Sequence, residues 1–244
     1  EQPDPEGTAR LLQASTALSL STDTRHRRAA CDIAVCLLAL LGDDEAVAST
    51  CRIILDRLSF FPTADMSAGS ERDVLSQPLS LWLERASRRE INTVPGGGSL
   101  TDFQKAVWDE LDSSSSFYVT APTSAGKSHV LLGFVLDQLR SQPGFRAVFL
   151  VPTRALISQV SAQFREKLRA AGMSSDVHVH TVPVPPADAE RSAVWVLTQE
   201  RLHYLLGRHD RVMIDLLVVD EAQQIGSDTR GILLQSVVER VVSA

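Results

Sequence analysis

Short apolar runs set apart by longer amphipathic stretches constrain this chain more than anything else in it. The runs are Phe117-Tyr118-Val119-Thr120, Ala147-Val148-Phe149-Leu150-Val151, Val194 to Leu197 and Leu216 to Val219. They have strand length, and the last three lack the polar alternation of a half-exposed strand, so they belong to a sheet covered on both faces. Between them, Lys127 to Arg140 reads as a helix. So does Ala155 to Ala170, where Leu156, Val160, Phe164 and Leu168 recur at every fourth position. Helical crossovers bring each strand back in the same direction, so the sheet is mostly parallel. An α/β doubly wound domain of this kind holds ligands at the carboxyl ends of its strands. A last helical stretch, with Val237, Val238 and Val241, precedes Ala244.

The first ninety-odd residues follow a different rule. Ile33, Cys36, Leu37, Leu40 and Leu41 fall on one helical face, and Val47, Cys51, Ile54, Leu55 and Leu58 on another. Gly42-Asp43-Asp44 punctuates the two, which predicts an antiparallel hairpin. Phe60-Phe61-Pro62 ends it, and Thr63 to Asp73 reads as a loop. Leu79, Trp82, Leu83 and Ala86 then start a further helix. Pro95-Gly96-Gly97-Gly98 is the strongest breaker in the sequence and sets the expected boundary. The expected organisation is a helical accessory domain over 1–94, a linker over 95–98 and the α/β domain over 99–244.

Cys31, Cys36 and Cys51 are odd in number, without metal-ligand spacing, and lie in apolar helical sequence. They read as buried free thiols, which suits a reducing cytoplasm. No apolar run approaches the roughly 20 residues a membrane span needs, and no export signal opens the chain. The first residue is Glu1, not Met, as expected for a trimmed piece of something longer. A net charge of −6 gives no global pull toward nucleic acid, so any such contact must be local.

The chemistry sits at the ends of two of the runs. Directly after Phe117–Thr120 comes Ala121-Pro122-Thr123-Ser124-Ala125-Gly126-Lys127-Ser128. This is the phosphate-loop pattern with Ala in the place of its first Gly. Backbone N–H groups of Thr123, Ser124, Ala125 and Gly126 would cradle phosphate oxygens, and Gly126 lets the main chain approach closely. The helix that follows offers its positive end. Lys127 reaches for the β- and γ-phosphates of ATP, and the Ser128 hydroxyl is a ligand for magnesium. The run Leu216–Val219 ends in Asp220-Glu221-Ala222-Gln223. Asp220 is the second magnesium ligand, and Glu221 is the base or positioner for the attacking water.

Taken together these segments resemble superfamily 2 helicases over about residues 99–231. Asp220-Glu221-Ala222-Gln223 is similar to motif II, the DEAD/DEAH box, and Pro152-Thr153-Arg154-Ala155-Leu156 to motif Ia. Leu197-Thr198-Gln199-Glu200-Arg201 resembles the later strand-contacting motif, and Leu100-Thr101-Asp102-Phe103-Gln104 the glutamine motif. Asp220 to Gly231 is most similar to the superkiller-like branch. The resemblance implies a first RecA-like lobe that hydrolyses ATP while DNA or RNA, with DNA preferred, crosses its top. Gln104 would read the adenine edge, and Gln223 would couple the ATP site to a second lobe. Thr153, Arg154 and Thr198 would hold phosphates of the strand. Hydroxyls and helix N-termini do this without a strongly basic surface. Thr153 equally suits a helix N-cap.

In the resembling family a second RecA-like lobe supplies arginines that stabilise the transition state. That lobe and the Ser-Ala-Thr motif III are not in these 244 residues. The chain is therefore expected to be part of a larger protein, binding ATP weakly and turning it over negligibly when alone. Its expected partners are the second lobe, nucleic acid, and a nuclease or other subunit of a defence or repair complex. The rival reading is a nucleotide-binding switch or scaffold, which needs neither Glu221 nor Pro152-Thr153-Arg154. His178 and His180 alternate on a possible strand over Val177 to Val182 and read as a solvated face. Arg25-His26-Arg27-Arg28 reads the same way at a helix start.

Overall fold

A computed structural model describes residues 4–61, 79–95, 98–113, 116–122, 125–185, 191–209, 212–224 and 229–243. By compactness the chain divides into Glu1–Val130 and Leu131–Ala244.

In the first unit, α1 (Pro5–Ser19), α2 (Thr24–Leu41) and α3 (Glu45–Arg57) pack on one another. Asp4, Asp23 and Asp44 cap the three helices, each carboxylate accepting N–H groups of the first turn that have no partner within the helix. The predicted stripe of α3 is buried throughout, Val47, Cys51, Ile54, Leu55 and Leu58 all facing the core. The stripe predicted for α2 is displaced. Ala30, Cys31, Ala34 and Leu37 are buried, whereas Leu40 is 70% exposed and Cys36 lies on the surface. This corrects the reading of three buried thiols. Burial raises the Cys31 and Cys51 thiols to about 11, which keeps both protonated and inert at neutral pH.

The helix α4 (Leu79–Ile91) forms where its stripe predicts, though Leu83 is exposed. The expected loop over Thr63 to Asp73 lies outside the described residues. Around the Pro-Gly breaker the chain is bonded across itself. Thr93 bridges Ser99, the Val94 N–H donates to Gly98 O, and the Leu100 N–H to Asn92 O. Compactness therefore does not divide the chain at this turn. Helix α5 (Asp102–Ser113) follows, its N-terminus tied back by Asn92 Nδ2 donating to Asp102 Oδ1 at 2.8 Å.

The second unit is built on a four-stranded parallel sheet in the order β2-β3-β1-β4. The strands are β1 (Arg146–Leu150), β2 (Val177–His180), β3 (Ser192–Leu197) and β4 (Leu216–Val219). Strand side chains alternate between faces, and the two cores follow from this. Ala147, Phe149, Val194 and Val196 meet Leu132, Val135 and Leu139 of α6 (Lys127–Ser141), with Ile157, Phe164 and Leu168 of α7 (Arg154–Ala170). Val148, Leu150, Ala193, Trp195 and Leu197 meet α8 (Gln199–Arg208) and α9 (Thr229–Val242) on the other face. No helix among the described residues is long and apolar enough to cross a membrane.

One predicted strand is corrected. Residues 116–122 are not in a strand, Phe117 is 36% exposed and Tyr118 69% exposed. A strand exists only where a neighbour pairs its backbone groups, and the ladder of the described residues ends at β4.

The two histidines of β2 do not form a simple solvated face. His180 stacks on Trp195 at 5.4 Å between centroids and on His178 at 5.9 Å. Burial, and then the neighbouring His178, hold the His180 imidazole below its ordinary 6.5. With the folded value depressed, the stability this group contributes is present above the ordinary value and lost as pH falls through it toward the folded one. Thermal melts should show wild type losing more stability than His180→Gln between about pH 7 and about pH 5. Equal losses would remove His180 as the cause.

Candidate functional site

The loop ahead of α6 is shaped by one glycine and one glutamine. Gly126 has φ 75°, a conformation that only glycine adopts freely. A Cβ there would lie 2.4 Å from Gln104 Nε2. Gln104 is buried, and both polar atoms of its amide are bonded. Its Oε1 accepts from the Thr101 N–H at 3.1 Å, and its Nε2 donates to Ala125 O at 3.4 Å. The Thr101 hydroxyl accepts from the Gln104 N–H at 3.2 Å, completing a capping box at the start of α5. Gln104 thus braces the back of the loop.

Lys127 curls over the loop, donating to the carbonyls of Ala121 and Pro122, the latter at 3.0 Å. Ser128 is exposed in the first turn of the 15-residue α6, whose N-terminus carries the positive end of the helix dipole. Thr123 and Ser124 lie outside the described residues.

The other candidates lie along one edge of the sheet. Parallel pairing aligns Leu150 with Leu197 and with Val219. The segments after β1, β3 and β4 therefore leave the sheet side by side. Pairing continues one step further, as the Val151 N–H donates to Leu197 O and the Asp220 N–H to Leu150 O, both at 2.9 Å. Asp220 and Glu221 are exposed at this edge. Glu221 has φ 58°, which costs a side-chain-bearing residue roughly 1–2 kcal/mol. It is held there by its N–H on Asp220 Oδ1 at 3.1 Å and by Gln223 Nε2 donating to its carboxylate. An outlier of this kind, on a candidate catalytic residue, is where strain is commonly kept for function.

Next to the acid pair, Pro152, Thr153, Arg154, Thr198, Glu200, Arg201 and Arg230 line a cavity of about 330 Å³. Helices α7 and α8 start at it, and Arg230 reaches it from the first turn of α9. Thr153 caps α7, accepting from the Leu156 N–H at 3.4 Å, so the N-cap reading of this residue holds. Thr198 stands at the N-cap position of α8 without a side-chain cap bond and is buried. Partial burial pushes the Glu200 carboxyl up. The Thr198 hydroxyl, its own backbone N–H and Arg230 outweigh this and hold it below the usual carboxylate range. Arg201 donates to Thr181 O, and Arg230 to Glu200 and Pro152 O. Sequence reasoning passed over Glu200, Arg201 and Arg230 as site residues. They lay within the segments quoted for the helicase resemblance, which was the signal available.

These donors suit magnesium and a triphosphate. Magnesium keeps several waters and takes only one or two protein oxygens, and the Ser128 hydroxyl of the first unit and the Asp220 carboxylate of the second are each exposed oxygens of the kind it takes. The positive φ of Gly126 and the helix start behind it suit a phosphate.

The sequence model of the DEAD/DEAH box helicases matches residues 101–243. The chain belongs to this family. DEAD/DEAH box helicases are ATP-dependent enzymes of nucleic acid that use a divalent metal. The chain is 30% identical over 147 residues to the ATP-dependent DNA helicase Hel308 of Methanococcus vannielii, covering 57% of this chain and 19% of that protein. It is 22% identical over 194 residues to the DExH-box ATP-dependent RNA helicase DExH14 of Arabidopsis thaliana, covering 74% and 9%. It is 36% identical over 118 residues to anti-bacteriophage protein B of Escherichia coli K12, covering 47% and 14%. The match spans about a fifth or less of the length of these relatives. In this DEAD/DEAH box protein the fourth residue of motif II, Gln223, bonds the second, Glu221.

Gly126→Ala should weaken binding of a fluorescent ATP analogue about tenfold or more, from the backbone strain alone roughly 1–2 kcal/mol. Adding Gln104→Ala removes the collision but leaves φ, so it should restore only part of the affinity. Full recovery in the double variant would make the collision, not the backbone, the constraint.

Proposed function

We propose that this chain is the ATP-binding lobe of a helicase or translocase that hydrolyses ATP to move on or unwind nucleic acid, with DNA preferred to RNA. One observation carries the reading. A single sheet edge collects the acid pair Asp220-Glu221 and both segments that would grip a strand, at Thr153-Arg154 and at Thr198. A nucleotide switch needs only a phosphate site. An engine needs its hydrolytic acid beside its grip, so that one can move the other. The preference for DNA leans on the name of the Methanococcus vannielii helicase, against an RNA helicase among the relatives.

In this reading Lys127 exchanges its loop carbonyls for the β- and γ-phosphates, and the loop N–H groups from Thr123 to Gly126 hold the remaining oxygens. Gln104 would face the adenine edge while bracing the loop. Magnesium, held by Ser128 and Asp220, would neutralise charge on the phosphates. Glu221 takes a proton from the attacking water, and its unusual backbone conformation aims the carboxylate. A second RecA-like lobe supplies the arginines, with Gln223 as the coupling side chain toward it. The boundaries proposed are 99–244 for the lobe and 1–94 for the accessory helices. The thiols suit a cytoplasmic setting.

A second reading is favoured by the likeness to anti-bacteriophage protein B. In it the chain is a nucleotide-binding subunit of a nuclease or defence complex that does not unwind. Glu221→Gln in the intact protein separates the two. For an engine, nucleotide binding persists while DNA-stimulated ATP hydrolysis falls about 100-fold or more, the usual loss on removing a general base. Near wild-type hydrolysis would end the engine reading, as would a magnesium-nucleotide complex structure with Ser128 and Asp220 far apart.

A further inference from the structure

Arg230 has the wrong charge for its position. It stands in the first turn of the 14-residue α9, where the helix dipole disfavours a cation. Its side chain is bonded to oxygens of two other segments of the same unit. Nη2 donates to Pro152 O at 3.0 Å and Nε to Glu200 Oε1 at 3.1 Å. Gln199, with its amide oxygen turned toward the guanidinium, accepts from Nη2 at 3.2 Å and Nε at 3.0 Å. One planar fork therefore bolts the β1–α7 turn to the first turn of α8. Each bond ends one step from a candidate strand contact. The Pro152 carbonyl belongs to the peptide that carries the Thr153 N–H, and Glu200 lines the same cavity as Thr198, two residues before it.

The same residue begins the helix that follows the acid segment. Asp220 and Glu221 run into the short helix Ala222–Gln224, and the Asp220 N–H donates to Leu150 O, two residues before the Pro152 carbonyl that Arg230 holds. The end of β1 that accepts from Asp220 therefore runs straight into the turn that the guanidinium holds, and the guanidinium joins that turn to the start of α8. The Glu200 and Arg230 side chains are each 49% exposed, so the pair contributes little to stability. The geometry, more than the energy, gives the contact its purpose.

We propose that Arg230 is a positioning residue that couples the acid segment after β4 to the two strand-gripping turns, without itself holding phosphate. This rests on the engine reading above. Arginine is needed because a lysine cannot reach the Pro152 carbonyl and the Glu200 carboxylate in one plane.

The test uses the intact protein, ATP and a single-stranded DNA oligonucleotide. In Arg230→Ala, basal hydrolysis and KM for ATP stay as in wild type, while DNA stimulation falls by about tenfold or more, the size of a typical coupling between sites. Arg230→Lys keeps the charge but loses the fork, and falls nearly as far. Oligonucleotide binding, followed by anisotropy across a salt series, keeps its salt slope in both variants because Arg230 contributes no phosphate contact. Three results would overturn the proposal. They are stimulation unchanged in Arg230→Ala, rescue by lysine, or a salt slope lower by about one, which marks a lost phosphate contact. If wild type is not stimulated by any nucleic acid, the engine reading falls on wild type alone and takes this proposal with it.

Discussion

The site depends on the parallel pairing of β1 with β3 on one side and β4 on the other. Parallel strands in register end together, so residues from 150 to 220 that are far apart in sequence leave the sheet at one edge. The register is fixed by burial. Phe149 and Val196 face one core and Val148 and Trp195 the other, and a slip of one residue would exchange every pair between differently shaped faces. Pairing continues past the strands, through Val151 on Leu197 and Asp220 on Leu150. The acid that would hold metal is placed by a ladder hydrogen bond, so its position follows directly from the apolar core.

Much of this was legible in the residues because the code of a two-faced buried strand is simple. Runs at 147–151, 194–197 and 216–219 have apolar residues on both parities, and each forms a strand within a residue or two of its expected ends. Phe117–Thr120 shows the limit of that code. The run has strand composition, but pairing is a property of the neighbour, which composition does not contain. The α2 stripe failed for the opposite reason. From Ala30 to Leu41 nearly every residue is apolar, so periodicity gave a poor phase: Leu37 is buried as expected, but Ala30, Cys31 and Ala34 are buried with it and Leu40 and Cys36 are exposed. α3, with Arg52 and Arg57 between its apolar positions, had a phase to read, and its stripe was right, although Asp56 is buried with it.

At the site, residue types were legible and contacts were not. Lys127, Ser128, Asp220 and Glu221 stand out by motif. Nothing in the motif says that Gln104 would fill the space beside Gly126 where a side chain would otherwise sit, or that Glu221 would take a left-handed backbone. Both are consequences of tertiary packing around a turn. Thr153 carried two readings because one hydroxyl serves both, and its bond to the Leu156 N–H satisfies the cap. A cap hydroxyl keeps a lone pair, so a helix start that is already ordered can accept a phosphate on the neighbouring N–H groups with little further ordering.

Under the proposed function, an acidic protein would have to limit its attraction for a polyanion to one place, and the lining of the cavity after β1 and β3 suits that. Arg154, Arg201 and Arg230 line it with one carboxylate, Glu200. Arg201 is committed to Thr181 O and Arg230 to Pro152 O and Glu200. Two of the three guanidiniums therefore act first on the protein, ordering the turns. In the proposed function the grip would then fall to Arg154, to hydroxyls and to the N-termini of α7 and α8. Such partial charges fall off within a helical turn, so they hold a phosphate that is seated and do little to one that has stepped away. For a motor of the proposed kind, which would release its track on every cycle, short-range grip ordered by internal arginines is better suited than a broad basic surface. A net charge of −6 is then compatible with the work, since it discourages long-lived attachment wherever the phosphates are not seated.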